Sequence, residues 1–364
     1  MGFKCGIIGL PNVGKSTIFN ALTCMQVEAS AYPFCTINPN TGIVPVQDER
    51  LENIQKIMGS KKMTPTTLEF VDIAGLVKNA SKGEGLGNQF LSHIQGVDAI
   101  AHIVRCFVDE NISHIAPSLD PVRDAEIVNI ELILKDMEIV DRALERVAKT
   151  LRVGDNKSKE EYELLKWIQG NLAQEIPIRD IDLDKIQRQL IRSLNLLTIK
   201  PMFYIANVDE EHLINNPWHQ KLESYAKEQH SECLQFCGKA QAEIAQLDPE
   251  SQNEFLQEMG LDESGLKKVI RTGYNILNLI TFFTANENEA HAWTVESGTN
   301  VQKAAGKIHS DFETGFIKAE VIKYKDLIEF SSETKAREHG LAAIHGKEYI
   351  VEDGDVILYK FRSK

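Results

Sequence analysis

The stretch Gly9-Leu10-Pro11-Asn12-Val13-Gly14-Lys15-Ser16-Thr17 constrains this chain more than any other. It is a Gly-x-x-x-x-Gly-Lys-Ser/Thr run, preceded by apolar Cys5-Gly6-Ile7-Ile8 and followed by the helix formers Ile18 to Leu22. That is strand, loop and helix in the order a phosphate-binding loop requires. Glycines at 9 and 14 let the backbone turn its N–H groups inward around a polyphosphate, and the following helix points its positive end at the same anion. Asn12, Val13, Gly14, Lys15, Ser16 and Thr17 are therefore the candidate nucleotide-binding loop. Lys15 would reach the β- and γ-phosphates and is a candidate catalytic residue, with the Ser16 hydroxyl on Mg²⁺. A glycine-rich turn with a solvated lysine is the competing reading, and the strand-loop-helix context argues against it.

A length of 364 residues exceeds what one core usually organises, so two or three domains are expected. With 40 basic and 53 acidic residues the net charge is −13, which argues against a protein that coats nucleic acid nonspecifically. Any RNA contact must be focused. The six cysteines, at 5, 24, 35, 106, 233 and 237, form no Cys-x-x-Cys pair. They suggest neither a zinc site nor a disulfide framework and read as reduced, mostly buried thiols. No run approaches the roughly 18 apolar residues of a membrane span. Met1-Gly2 resembles the start of a myristoylation signal, but Gly6 stands where Ser or Thr is needed. The expectation is a cytoplasmic protein with no membrane partner.

Two further segments read as the metal and γ-phosphate side of the site. Tyr32 to Gly42 is rich in turn formers and leads into the strand Ile43-Val44-Pro45-Val46. A switch loop here supplies a threonine to Mg²⁺; Thr36 is the choice and Thr41 the competitor. Thr67 to Gly75 is a strand ending in Asp-x-x-Gly, where Asp72 would hold Mg²⁺ through a water and the Gly75 N–H would approach the γ-phosphate as a catalytic group. After Gly75 many nucleotide hydrolases place a glutamine that orients the attacking water, but this chain has Leu76, which cannot hydrogen-bond. Glycines 83, 85 and 87 give the following segment freedom to move. His114, in the loop after the strand Ala99 to Phe107, is a catalytic candidate if that loop folds inward; an ordinary surface histidine is the alternative.

The base-reading segment departs from the guanine pattern. Strand Ile199 to Ala206 delivers Asn207-Val208-Asp209-Glu210, where guanine-specific relatives read Asn-Lys-x-Asp. There the Asp carboxylate accepts from guanine N1–H and the exocyclic amine, a donor pair that adenine lacks. Here the fourth position is Glu210, Val208 replaces the Lys, and Asp209 comes one residue early. Asn207, Val208 and Glu210 are the candidate base-side residues, and adenine becomes plausible. Phe236-Cys237-Gly238-Lys239 occupies the place of a base-backing loop in degenerate form.

The Gly9–Thr17 run, Tyr32-Pro33-Phe34-Cys35-Thr36, Asp72-Ile73-Ala74-Gly75-Leu76 and Asn207-Val208-Asp209-Glu210 together resemble the YchF family of Obg-related P-loop hydrolases, the Obg-like ATPases. The resemblance covers essentially the whole chain, and Leu76 and Glu210, which break the general GTPase pattern, mark this branch. It implies ATP hydrolysis in preference to GTP, a helical insertion, a C-terminal TGS domain and association with ribosomes, as the 70S particle or 50S subunit, or with structured RNA.

The insertion is also legible from periodicity. Ile127, Ile130, Leu134, Met137, Asp141, Leu144, Ala148 and Leu151 recur at spacings of three and four as a heptad seam. A second helical pattern, Leu183, Ile186, Leu190, Leu194 and Leu197, follows the polar stretch 154–161, so two long helices are expected to pair antiparallel as an arm. Arg142, Arg146, Lys149 and Arg152 share a stripe that suits RNA, yet Glu138 and Glu145 precede Arg142 and Lys149 by four residues, as in a solvated, ion-paired face. From about Asn278 short strands take over: Leu279 to Thr284, Trp293 to Val295, Phe316 to Ile322 and Val356 to Phe361, with a helix near Asn300 to His309. This part resembles a TGS, or β-grasp, domain.

The expected fold class is α/β: a P-loop nucleotide hydrolase domain at 1–121 and 199–277, a helical coiled-coil insertion at 122–198 and a β-grasp domain at 278–362. The expected function is a Mg²⁺-dependent ATPase switch. An Obg-type GTPase and a nucleotide-gated ribosome- or RNA-binding module with negligible hydrolysis are the alternatives.

Overall fold

The computed structural model describes residues 2–23, 40–73, 94–109, 118–151, 156–213, 215–244 and 246–362. Among these, β1 (Lys4–Ile8), β4 (Thr67–Asp72), β5 (Ala99–Arg105), β6 (Met202–Asn207) and β7 (Cys233–Phe236) run parallel, and β2 (Thr41–Pro45) adds antiparallel to β4. The order across the sheet is β2-β4-β1-β5-β6-β7. Every residue of β5 and β6 is buried, as a parallel sheet covered on both faces demands. Helices α1 (Lys15–Thr23), α6 (Pro217–Glu228), α7 (Gly238–Ile244) and α9 (Gly265–Ile276) supply that cover. Because β1, β4, β5 and β6 are parallel, Gly9, Asp72, Cys106 and Asn207 emerge at one end of the sheet, where an open α/β fold collects its ligand.

A second sheet has the order β11-β10-β12-β8-β9-β3. Its strands β8 (Leu279–Ala285), β9 (Glu289–Glu296), β10 (Phe316–Lys323), β11 (Ala343–His345) and β12 (Asp355–Phe361) come from the C-terminal part, with helix α10 (Val301–Ile308) packed against one face. Its edge strand β3 (Lys62–Thr64) does not: it lies between β2 and β4 in the chain and pairs parallel to Glu289–His291. Helix α2 (Glu49–Met58) makes the same excursion. Asp48 caps its N-terminus and Gly59, at φ +64°, ends it. Its buried Leu51 and Ile54 sit in one core with Phe283, Ala292, Ile322 and Val356. Arg50 also reaches Asp353 at 2.6 Å.

The helical insertion follows the expected period with a different phase and a different partner. Helix α3 (Pro121–Leu151) packs against α4 (Asn156–Leu172), and contacts between Asp141 and Gln169 and between Arg146 and Glu161 make the pair antiparallel. The buried seam is Ile133, Val140, Ala143, Leu144 and Val147 against Leu164, Leu165, Ile168 and Leu172. Ile130 and Leu134, placed in the seam by apolar spacing, are 38% and 49% exposed. Met137 and Leu144 keep their expected places in this core, which also takes in Asp136, a fully buried carboxylate that apolar counting passes over. It accepts from the Leu197 and Thr198 N–H groups, both at 2.7 Å, and from the Thr198 hydroxyl at 2.6 Å, tying the end of the insertion to α3. The Leu183–Leu197 pattern forms only a short helix, α5 (Lys185–Ile191), with 3-10 turns, and Ile186 is exposed. The second long helix instead starts within the polar stretch at 156, whose apolar face begins only at Tyr162.

Candidate nucleotide site

The phosphate loop is shaped by close approach. Gly9 (φ +154°) and Gly14 (φ +91°) occupy backbone conformations that side chains rarely adopt. A Cβ on Gly9 would lie 2.4 Å from the Ile103 carbonyl oxygen, and one on Gly14 would lie 2.3 Å from Asn207 Nδ2. Asn12 takes the left-handed conformation at φ +63°, which asparagine tolerates well. Val13 is buried, whereas Ser16 and Thr17 are exposed at the start of α1.

Asn207 joins the two halves of the site. Its Nδ2 donates to the Val13 carbonyl at 2.9 Å, and its Oδ1 accepts from the Gly238 N–H at 3.2 Å. The amide thus fixes the phosphate loop against the 236–239 turn. Val208 is buried and its N–H pairs with the Phe236 carbonyl at 3.0 Å. Asp209 Oδ1 accepts from the His212 N–H at 2.9 Å and lies 2.7 Å from its Nδ1, so it closes a turn. Glu210 points elsewhere, 3.5 Å from Lys239 Nζ across a half-exposed gap.

These groups border one cavity of about 540 Å³, lined by Asn12, Gly14 and Thr17 of the phosphate loop and by Asn207, Val208, Asp209, Glu210, Glu211, Cys237 and Lys239. Phe107, Val108 and Asp109, immediately after β5, form the remaining wall. Lys15 Nζ donates to the Leu10 carbonyl at 2.8 Å. Burial lowers the Lys15 pKa, and the Asp72 charge works against that; burial raises the Asp72 pKa, and Lys15 opposes it. The two charges therefore feel each other beside the loop. Among the described residues Asp72 Oδ1 is buried with no hydrogen-bond partner, an orphaned carboxylate oxygen of the kind a hydrated cation satisfies. That oxygen and the exposed Ser16 hydroxyl are both hard donors of the kind Mg²⁺ takes. Thr36, Gly75, Leu76 and His114 lie outside the described residues.

A family model described as a 50S ribosome-binding GTPase matches residues 4–141, and a YchF GTPase C-terminal model, described as a protein of unknown function, matches residues 279–362. The "Ribosome-binding ATPase YchF" of Haemophilus influenzae is 50% identical over 361 residues, 99% of each chain. The chain belongs to the YchF family. The YchF of Bacillus subtilis, which carries the same name, is 46% identical over 364 residues, 99% of this chain and 100% of the relative. A solved YchF structure, titled as the Schizosaccharomyces pombe YchF GTPase, superposes with a TM-score of 0.87 at 37% identity, covering 99% of this chain and 98% of that one. The names of these YchF proteins thus divide between ATPase and GTPase.

The wall at Phe107–Asp109 escaped the sequence reading, which looked for charged and glycine-rich motifs. The available signal was position: the segment leaves the carboxyl end of a central strand, beside Asn207 on β6. Cys106 N–H donates to the Asn207 carbonyl at 2.8 Å and makes that adjacency concrete.

Proposed function

We propose that this chain is a P-loop hydrolase that binds Mg·ATP and cleaves it to ADP and phosphate as a molecular switch, and that it engages the ribosome or a ribosomal subunit. The observation that carries the nucleotide reading is the single cavity that runs from the phosphate loop to Asn207–Glu210. Lys15 leaves the Leu10 carbonyl for the β- and γ-phosphates. Ser16, Thr36 and, through a water, Asp72 would hold Mg²⁺, which would supply positive charge against the phosphates. Gly75 offers its N–H to the γ-phosphate. Leu76 cannot orient the attacking water, so another group must do so, and His114 is the candidate. Attack of water at the γ-phosphorus breaks its bond to the bridging oxygen and releases ADP. Asn207, Val208 and Glu210 face the base; Asp209 is engaged with His212, and Glu210 stands at the fourth position, where the guanine pattern has Asp. Adenine follows from that substitution.

The reading assigns residues 1–121 and 199–277 to the nucleotide domain, 122–198 to the helical arm and 278–362 to the β-grasp domain. Ribosome binding rests on the names of the relatives; on the arm, Arg146 is largely exposed and lies 3.7 Å from Glu161. A cytoplasmic location suits the thiols: Cys5, Cys106, Cys233 and Cys237 are free, and burial pushes Cys5 and Cys233 up to about 12. Among the described residues no helix is long and apolar enough to cross a membrane.

Calorimetric titration of the nucleotide-free protein with nonhydrolysable ATP and GTP analogues and Mg²⁺ tests the reading. Tighter ATP binding that is lost in Lys15→Ala is the expected result. Tighter GTP binding would move the chain to the Obg-type GTPases. Leu76 favours a second reading, a nucleotide-gated ribosome-binding module with negligible hydrolysis; single-turnover assays showing no cleavage with or without ribosomes would select it.

A further inference from the structure

The structure assigns Arg105 as a positioning residue for nucleotide selection: it holds the Phe107–Asp109 wall of the cavity in place against the base. The inference rests on the nucleotide reading above and goes one layer behind it. Arg105 ends β5 and is only 3% exposed. Its Nε donates to the Phe107 carbonyl at 3.1 Å and one terminal nitrogen donates to the Asp109 carbonyl at 3.1 Å. The same guanidinium lies over the Phe107 ring, 4.7 Å from its centroid. One planar group therefore fixes the backbone at both ends of the three-residue wall and the orientation of its ring. Asp109 and Asp124 stand near enough to balance the buried charge. From the other side Asn216, buried at the start of α6, donates to the Cys106 carbonyl at 3.0 Å, so the loop is pinned just before the wall begins.

A lysine cannot reproduce this. Its single ammonium cannot serve two carbonyls in a fixed fork and stack on a ring at the same time. The wall itself offers the Phe107 ring and the exposed Val108 side chain, contact surface that makes no hydrogen-bond demand on the base. The nucleotide reading gives the polyphosphate to Lys15 and the phosphate loop and gives the wall to the base, so a fault in the wall is expected to act on the base.

Binding of ATP and of inorganic tripolyphosphate, each with Mg²⁺, separates the two ends. Arg105→Lys is expected to weaken ATP about tenfold, the scale of one lost base–aromatic contact, and to leave tripolyphosphate affinity unchanged. Phe107→Ala is expected to do the same, and the double variant to be no worse than either single one, because Arg105 acts through Phe107. Thermal melts establish that each variant is folded, with Arg105→Gln replacing Arg105→Lys if the latter is not. Wild-type ATP affinity in the Arg105 variant, a parallel loss of tripolyphosphate, or additive effects in the double variant would overturn the assignment. A wild-type protein that binds neither ligand would instead sink the nucleotide reading.

Discussion

Asn207→Asp is the most exacting perturbation of the proposed site, because it changes one atom without changing shape. The Oδ1 bond to the Gly238 N–H survives, while the atom 2.9 Å from the Val13 carbonyl becomes an acceptor facing an acceptor. Rotation about the terminal bond offers no relief, since it only exchanges the two carboxylate oxygens and leaves an acceptor facing the Val13 carbonyl. Losing the donor removes about 1 kcal/mol, and leaving a carbonyl and a carboxylate unpaired in a 5%-exposed position adds about 1–3 kcal/mol. About 3 kcal/mol in all corresponds to a loss of the order of 100-fold in ATP affinity if the phosphate loop relaxes away from the 236–239 turn. Isothermal titration with a nonhydrolysable ATP analogue reads this directly, with circular dichroism confirming the fold. A folded Asn207→Asp protein that binds within threefold of wild type would show that this amide does not hold the loop in its binding form.

Two other perturbations probe the scaffold. His102 is buried beside Tyr204, and burial first, then the Arg179 and Lys15 charges, lower its pKa from 6.5 to about 3. The folded state therefore holds the ring neutral, the unfolded chain binds a proton first as pH falls through 6.5, and stability drops by about 1.4 kcal/mol per pH unit, or about 2 kcal/mol at pH 5. Urea unfolding at pH 7 and pH 5 should show this loss, and His102→Phe should flatten it; equal slopes in both proteins would refute the assignment. Ile54→Ala removes a fully buried side chain from the core shared by α2 and the C-terminal sheet, and should destabilise that core by about 3 kcal/mol. Hydrogen exchange at Phe283 and Val356 should then speed up more than at Ile7 in β1; uniform acceleration would mean that the two cores unfold as one.

What was legible in the sequence, and what was not, follows from the range of the interactions involved. The phosphate loop is local: its glycines, lysine and flanking strand and helix specify one another within twenty residues. The four C-terminal strands near Leu279, Trp293, Phe316 and Val356 read as short runs rich in apolar and β-branched residues, and all four are present. The arm's period was legible but the burial of Asp136 was not, because a carboxylate satisfied by Leu197 and Thr198, some sixty residues on, reads locally as a surface residue. Likewise Arg105 reads as a charge at a strand end, and only folding shows it spent on two carbonyls and a ring. The excursion of α2 and β3 is the extreme case, since three residues pair with Glu289–His291 and no local pattern encodes that. Its consequence bears on the site. The Thr66 hydroxyl meets that of Thr294 in β9 at 2.9 Å, and the strand that starts at the next residue ends at Asp72. The carboxylate with an orphaned oxygen beside Lys15 is therefore carried on a strand whose other end is bonded into the C-terminal sheet, so the position of the metal-side residue is set by long-range pairing as much as by its own motif.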